Sequence, residues 1–425
     1  GRSERVLHTR RMPEYIPHLA APAWSPDGST ILCAAGRYGT DKRQQAFPMK
    51  ISVESGEAVP VFEEPWHEIW QTAWLGDGKF FVMVGRPKSA DSNKQIWQVS
   101  ASDGTATRIT DDFNDYFGVS VADKTPDKII QFGTLVLDRA TDLWITEIGK
   151  KNDAARQITS NADNSYGISW GRAGQIVYGS VAGNNYDIWL INPDGLYRQQ
   201  ITRESARDSF PTFSADGSRI FFISERDGVK SLWRVNADGG EPISLVKGTS
   251  QQPFAASPDG KWIYFHSYFS GAAALWRVST EGGEPEKIAD GVLESPAIAP
   301  DNRTVAAVWK NEEGNSKLAI FNIENPAPEN WRRFDFTAGA NPSAAASPTA
   351  LRWTADGTAV AYVAQKKGIG NIWAQPVSGD AKQLTNFTTA RIWSFDFSPD
   401  GKHIVCSRGD QQRFVTLLQL GEAKQ

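Results

Sequence analysis

The sequence predicts an all-β chain folded as a single β-propeller of four-stranded antiparallel blades. Three observations carry that expectation: a turn signature, an aromatic pair and a two-residue alternation, each returning at intervals along the 425 residues. Self-similarity with a period of roughly 40 to 45 residues is what a propeller requires, because one small sheet cannot bury both its faces without neighbours. The turn signature reads Ser-Pro-Asp-Gly at Ser25–Gly28, Ser257–Gly260 and Ser398–Gly401. Variants stand at Gly76-Asp77-Gly78, Ala215-Asp216-Gly217, Pro300-Asp301-Asn302 and Ala355-Asp356-Gly357, with weaker copies around Asp123 and Ala173-Gly174. The aromatic pair is Ile96-Trp97, Leu143-Trp144, Ile188-Trp189, Leu232-Trp233, Leu275-Trp276 and Ile372-Trp373, with successive Trp positions from 97 to 276 separated by 47, 45, 44 and 43 residues.

The fifth repeat gives the template for one blade. Phe210–Ser214 is the first strand, Asp216-Gly217 the turn, Arg219–Ser224 the second strand, Ser231–Asn236 the third, and Pro242–Leu245 follows the Asp238-Gly239-Gly240 turn as the fourth. Asp caps its own backbone and Gly takes the positive φ of a tight hairpin turn. Large apolar residues alternate with small or polar ones, the period of a half-buried strand. The Trp of the third strand is suited to plug the space between blades.

Counting first-hairpin turns gives nine blades, at Asp27, Asp77, Asp123, Ala173, Asp216, Asp259, Asp301, Asp356 and Asp400. Eight blades with one displaced repeat is the alternative, since nine exceeds the usual four to eight. The last repeat has no fourth strand, and Arg5-Val6-Leu7-His8-Thr9 resembles the fourth-strand segments Thr107–Thr110 and Arg156–Thr159. The ring is therefore expected to close through an amino-terminal strand at about residues 4–9, with repeats over about 18–420 forming one domain across 1–425. The Ala-, Pro- and Asn-rich stretch Asn325–Pro348 reads as a long loop inside one repeat.

Charge and composition narrow the partners. With 45 basic and 49 acidic residues the net charge is −4, and no basic stripe supplies the counterion release that drives nucleic-acid binding. No apolar run reaches the roughly 18 to 20 residues of a membrane span, and Gly1-Arg2-Ser3-Glu4 begins no apolar leader, so a soluble segment is expected. Cys33 and Cys406 occupy equivalent places after the first and last turns. Equivalent strands of adjacent blades lie too far apart for a disulfide, so buried thiols are expected.

Trp24–Gly28, Tyr186–Gly195 and Leu232–Pro242 resemble the WD40-like, TolB-like (PD40) propeller repeats of bacteria, over nearly the whole chain. More narrowly, Gln95–Ser100, Arg156–Thr159 and Asn371–Pro376 resemble the carboxy-terminal region of bacterial receptor-type serine/threonine protein kinases. That resemblance implies an extracytoplasmic, periplasmic sensor propeller whose parent carries the kinase elsewhere. No His-Arg-Asp or Asp-Phe-Gly motif occurs here.

Other motifs have plainer explanations. Gly167-Ile168-Ser169-Trp170-Gly171 has the form of a nucleophile elbow, but a strand follows where that motif needs a helix. His8, His18, His67, His266 and His403 are scattered without metal-ligand spacing, and turn geometry explains the Asp-Gly pairs without calcium. Gly368-Ile-Gly-Asn-Ile-Trp373 lacks the third glycine of a dinucleotide loop. No catalytic residue, cofactor or metal is expected.

The candidate site comes from aligning repeats on the first turn and reading seven residues before the Asp position. That column holds Ala20, Trp70, Tyr116, Tyr166, Ser209, Gln252, Glu294, Thr349 and Trp393. It lies where the innermost strand begins, at one mouth of the channel. Trp70, Tyr116, Tyr166 and Trp393, with Gln252 and Glu294, would bind a protein, peptide or small-molecule ligand; packing between blades is the competing account of the aromatics. The expected function is a non-catalytic sensor or interaction domain. The alternatives are a propeller hydrolase or lyase with a channel active site, and a TolB-like envelope scaffold.

Overall fold

The computed structural model describes residues 5–9, 14–15, 21–38, 44–66, 68–87, 94–111, 115–122, 130–150, 155–160, 167–181, 185–226, 230–248, 254–311, 313, 315–337 and 351–420. The described residues are strand and turn, apart from one 3-10 turn at Pro328–Asn330. Strands within the four-stranded sheets pair antiparallel, as a propeller requires. The chain divides into two compact units, Arg139–Asp410 and a smaller one made of Gly1–Asp138 with Gln411–Gln425.

The larger unit contains five sheets built from consecutive strands. They are Ile168–Trp170, Ile176–Ser180, Asp187–Ile191 and Arg198–Gln200; Asp208–Phe213, Arg219–Ser224, Ser231–Asn236 and Ile243–Val246; Ala255–Ala256, Trp262–Ser267, Ala274–Ser279 and Glu286–Asp290; Val292–Ile298, Thr304–Lys310, Ser316–Asn322 and Arg332–Phe334; and Arg352–Trp353, Ala359–Lys366, Ile369–Pro376 and Lys382–Gln383. A further group joins Arg391–Phe397, the first half of His403–Leu420, the second half of Ile130–Glu147 and Arg156–Gln157. Apolar clusters fill the spaces between successive sheets. Val177, Leu190, Phe213 and Phe222 join the first to the second, and Ile404, Cys406, Phe395 and Ile372 lie between the last two groups. Leu143, Ile158 and Val405 of the sixth group pack on Ile168, Ile176 and Tyr178 of the first sheet.

In the smaller unit, Ala23–Trp24, Thr30–Tyr38, Gln44–Ser52 and Ala58–Pro60 form one sheet, with Glu14–Tyr15 added along Thr30–Tyr38. Glu68–Trp74, Phe80–Arg86, Gln95–Ser100 and Ala106–Arg108 form the next. Asp115–Ala122 pairs with the first half of Ile130–Glu147, and Leu418 of the second long strand packs with Tyr116, Val119, Phe132 and Val136.

Two expectations are corrected. Nine separate blades are not what the strands form: the described residues make eight sheets, because the third and ninth repeats share two 18-residue strands, Ile130–Glu147 and His403–Leu420. No Gly or Pro interrupts Thr134–Glu147, so that strand runs on where a repeat would turn. The proposed closing strand is the second correction, for residues 5–9 carry no strand. Leu7 packs on the cluster of Cys33, Ala35, Met49 and Ile51, with its carbonyl against Gly56, whose φ of 75° leaves no room for a side chain there. Both cysteines are buried thiols, and burial pushes Cys406 up to about 12.

Short-range chemistry explains why these residues turn where they do. In the turn at Ser257, the serine hydroxyl donates to Asp259 Oδ1 (2.6 Å) and accepts the Trp262 N–H (2.9 Å), while Asp259 Oδ1 accepts the Lys261 N–H (3.1 Å). Gly260, at φ 74°, donates its N–H to the Ser257 carbonyl. The same bonds recur at Ser25/Asp27, Ser214/Asp216, Thr354/Asp356 and Ser398/Asp400. The Ser25 and Ser214 hydroxyls, with nearby amides, hold Asp27 and Asp216 at about 2.

A second repeated lock explains the Ile/Leu-Trp pair and the Thr that ends several fourth-strand segments. The Leu143, Ile188 and Ile372 amides donate to the hydroxyls of Thr159, Thr202 and Thr385 (2.9, 3.0 and 2.9 Å). Those hydroxyls in turn reach Asp142, Asp187 and Asn371.

Candidate functional site

The end of each first hairpin opposite its turn is where the candidate column falls. In the smaller unit, Trp70 is half-buried and donates its indole N–H to Glu68 Oε2 (2.8 Å), and Glu68 Oε1 accepts from Arg86 Nε (3.2 Å). Lys94 Nζ bonds Asp115 (2.7 Å) and lies 4.7 Å from the Trp70 ring centroid and 4.2 Å from that of Phe117. The two rings meet edge to face at 5.2 Å. Trp70 thus closes a network of two acids and two buried bases, with Lys94 against its face. Tyr116 is 1% exposed and belongs to the core.

In the larger unit, Glu294 pairs with Lys310 at 2.9 Å, both side chains about a quarter exposed (22% and 26%). Strand register shifts between Glu294 and Ala297, where Ser295 takes φ 52°. His266 is buried beside them, with neither ring nitrogen bonded among the described residues, and burial followed by the Lys310 charge pushes it down to about 4. Asp208, fully buried, pairs with Arg226 at 2.9 Å. Burial pushes Asp208 up to about 6 against that arginine, and burial with the Asp208 charge does the same to Asp187. Trp393 is 6% exposed, a packing residue like Tyr116. Tyr166 and Gln252 lie outside the described residues.

The column therefore divides. Trp70 and Glu294 keep accessible surface within charged networks, and Tyr116 and Trp393 fill the core. Sequence reading missed the partners Arg86, Arg226 and Lys310, which come from the second strand or just beyond it. They follow their acids by 18, 18 and 16 residues, a hairpin spacing that could have found them.

Deeper in the larger unit, a cavity of about 240 Å³ is lined by Ser169, Thr212, Ala256, Ala297, Arg352 and Asp396, one residue from each successive sheet. Arg352 bonds Asp396 Oδ1, the Leu351 carbonyl and the Ile168 carbonyl, each at 3.1 Å, and Asp396 Oδ2 accepts the Trp170 N–H at 2.9 Å. With all three guanidinium nitrogens bound to the protein, this pair acts as a clasp between strands. Ser169, the elbow-like serine, is buried within the strand Ile168–Trp170, is followed by another strand and accepts the Phe213 N–H (3.3 Å). Among the described residues no three His, Cys, Asp or Glu converge on a metal-sized site. No described helix is long and apolar enough to cross a membrane.

Comparisons with known proteins find partial matches. An uncharacterized protein of Agrobacterium fabrum is 25% identical over 191 residues, covering 40% of this chain and 58% of that protein. A protein TolB homolog of Chlorobium luteolum is 27% identical over 92 residues, 21% of each. The chain thus spans less than two thirds of either relative. Among solved structures, TolB from Acinetobacter baumannii has a TM-score of 0.46 at 14% identity, covering 79% of this chain and 82% of that one. An oligogalacturonate lyase in complex with manganese has a TM-score of 0.36 at 12% identity, covering 86% and 90%. Residues 138–324 match the PD40 family, described as the TolB beta propeller domain, and this match falls almost wholly within the larger unit.

Proposed function

We propose that this chain is a non-catalytic interaction propeller, a TolB-like scaffold of the bacterial envelope working outside the cytoplasm. In this reading the larger unit is a six-bladed ring, whose last blade is completed by the second half of Ile130–Glu147 instead of an amino-terminal strand. One observation carries the functional reading: the turn ends of five first hairpins repeat a single hydrogen-bond pattern, whereas the opposite ends carry charged groups that differ from sheet to sheet. Groups bonded alike in repeat after repeat serve the fold. Charged, partly accessible groups that differ, such as the Glu294–Lys310 pair and the Trp70 network, are suited to recognise a partner.

The match of residues 138–324 to the TolB propeller family supports a protein partner. The narrower alternative, a sensor attached to a receptor-type serine/threonine kinase, rests on the resemblance of Gln95–Ser100, Arg156–Thr159 and Asn371–Pro376 alone.

The test is capture from envelope extract by the whole chain, beside a charge-reversed variant, Glu294→Lys with Lys310→Glu, and a Trp70→Ala variant. A protein retained by the parent and lost by either variant supports the reading. Turnover of a carbohydrate or ester substrate with no captured partner would instead favour a channel enzyme.

A further inference from the structure

We propose a binding site for a small organic anion in the smaller unit, in the cavity beside the turns at Asp27 and Asp77. The cavity measures about 620 Å³, within the roughly 300–1,000 Å³ of small-molecule sites. Pro26, Trp74 and Phe80 give it an apolar wall, and Lys50, Lys79 and Ser102 a polar one.

Its hydrogen-bonding capacity is lopsided. Among the described residues the buried Trp74 indole nitrogen meets no acceptor, whereas Trp97 in the same sheet donates its indole N–H to the Gly85 carbonyl at 3.2 Å. Among the described residues Lys50 Nζ has one bond, to the Ala101 carbonyl at 2.8 Å, and an ammonium carries three donors. Lys79 is exposed at the rim.

Three of the four carboxylate oxygens of Asp27 and Asp77 are engaged. Asp27 takes the Ser25 and Ser29 hydroxyls and the Ser29 N–H, and Asp77 Oδ1 takes the Lys79 and Phe80 amides. An occupant must therefore bring acceptors. Two ammonium groups favour anionic oxygens, and the Trp74–Phe80 wall favours an apolar body attached to them. A carboxylate and a phosphate ester share that chemistry.

Benzoate and benzamide, equal in shape and different in charge, test the site directly. Benzoate is expected to shift the Trp74 indole N–H resonance, which is identified by its loss in Trp74→Phe. Benzamide should bind at least about tenfold more weakly. Lys79→Met must weaken benzoate, Lys50→Met must weaken it further, and Lys50→Arg, which keeps a cation and a donor for Ala101, should restore it. Phenyl phosphate in parallel decides between carboxylate and phosphate ester. Equal binding of benzoate and benzamide, no shift with either anion, or an effect unchanged by Lys79→Met overturns the proposal.

Discussion

The two ends of the first hairpins differ in how they use polar residues. At the turn end, Ser25, Ser214, Ser257, Thr354 and Ser398 each bind an aspartate two residues on and the first amide of the next strand. At the other end, Glu68 meets Arg86, Asp208 meets Arg226, and Glu294 meets Lys310 beside an unbonded buried histidine. Hydrogen bonds that span two to five residues cost little ordering entropy and can be repeated in any sheet. Charge pairs spanning a hairpin are costly to desolvate, so their variety calls for a reason other than folding.

The largest effect that could break this contrast lies at neither end. Arg352→Ala should destabilise the larger unit by about 3 kcal/mol, because it leaves the Asp396 carboxylate without its cation and two carbonyls without the guanidinium. Chemical denaturation would measure it, and a loss well below that would make the clasp dispensable.

Next in size is the response to acid, with swings on the order of 1–3 kcal/mol. Asp187 and Asp208, raised from 3.8 to about 6, keep protons when folded that the unfolded chain has lost, so their contribution falls as pH rises from about 4 to 6. His266, lowered from 6.5 to about 4, works oppositely: its contribution is present above 6.5 and is lost as pH falls toward 4. In thermal melts across this window, Asp187→Asn should steepen the loss of stability on acidification, and His266→Phe should lessen it. Two variants with parallel pH profiles would refute these placements.

Smaller still, Ser257→Ala and Ser398→Ala should each cost about 1–2 kcal/mol and agree closely with one another. Unequal costs would mean that the repeated bonds are not equivalent. Smallest in stability, the double reversal Glu294→Lys with Lys310→Glu should shift the melt by less than about 1 kcal/mol, since the pair is partly exposed and is rebuilt with opposite polarity.

Much of the fold was legible because its determinants are local. Ser257-Pro-Asp-Gly260 contains nearly every group that makes its turn, and Asp187-Ile-Trp189 finds Thr202 within one hairpin. The sharing of Ile130–Glu147 and His403–Leu420 was not legible, because it joins strands more than 250 residues apart in sequence and no local residue specifies the neighbour. The amino-terminal segment misled for the same reason, since Arg5–Thr9 has a strand-like composition without the paired edge that makes a strand.

At the site, a single column of first-strand residues could not separate Tyr116 and Trp393, which pack, from Trp70 and Glu294, which sit among charges. The distinguishing residues, Lys94 and Lys310, lie outside the column.

The most direct test of the central claim compares partner binding by two folded variants: the Glu294/Lys310 reversal at the variable end and Ser257→Ala at the repeated end. Affinity measured against the captured envelope protein should fall at least about tenfold for the reversal and stay unchanged for Ser257→Ala. Loss of binding through Ser257→Ala with the reversal silent would place recognition on the turn face and contradict the account.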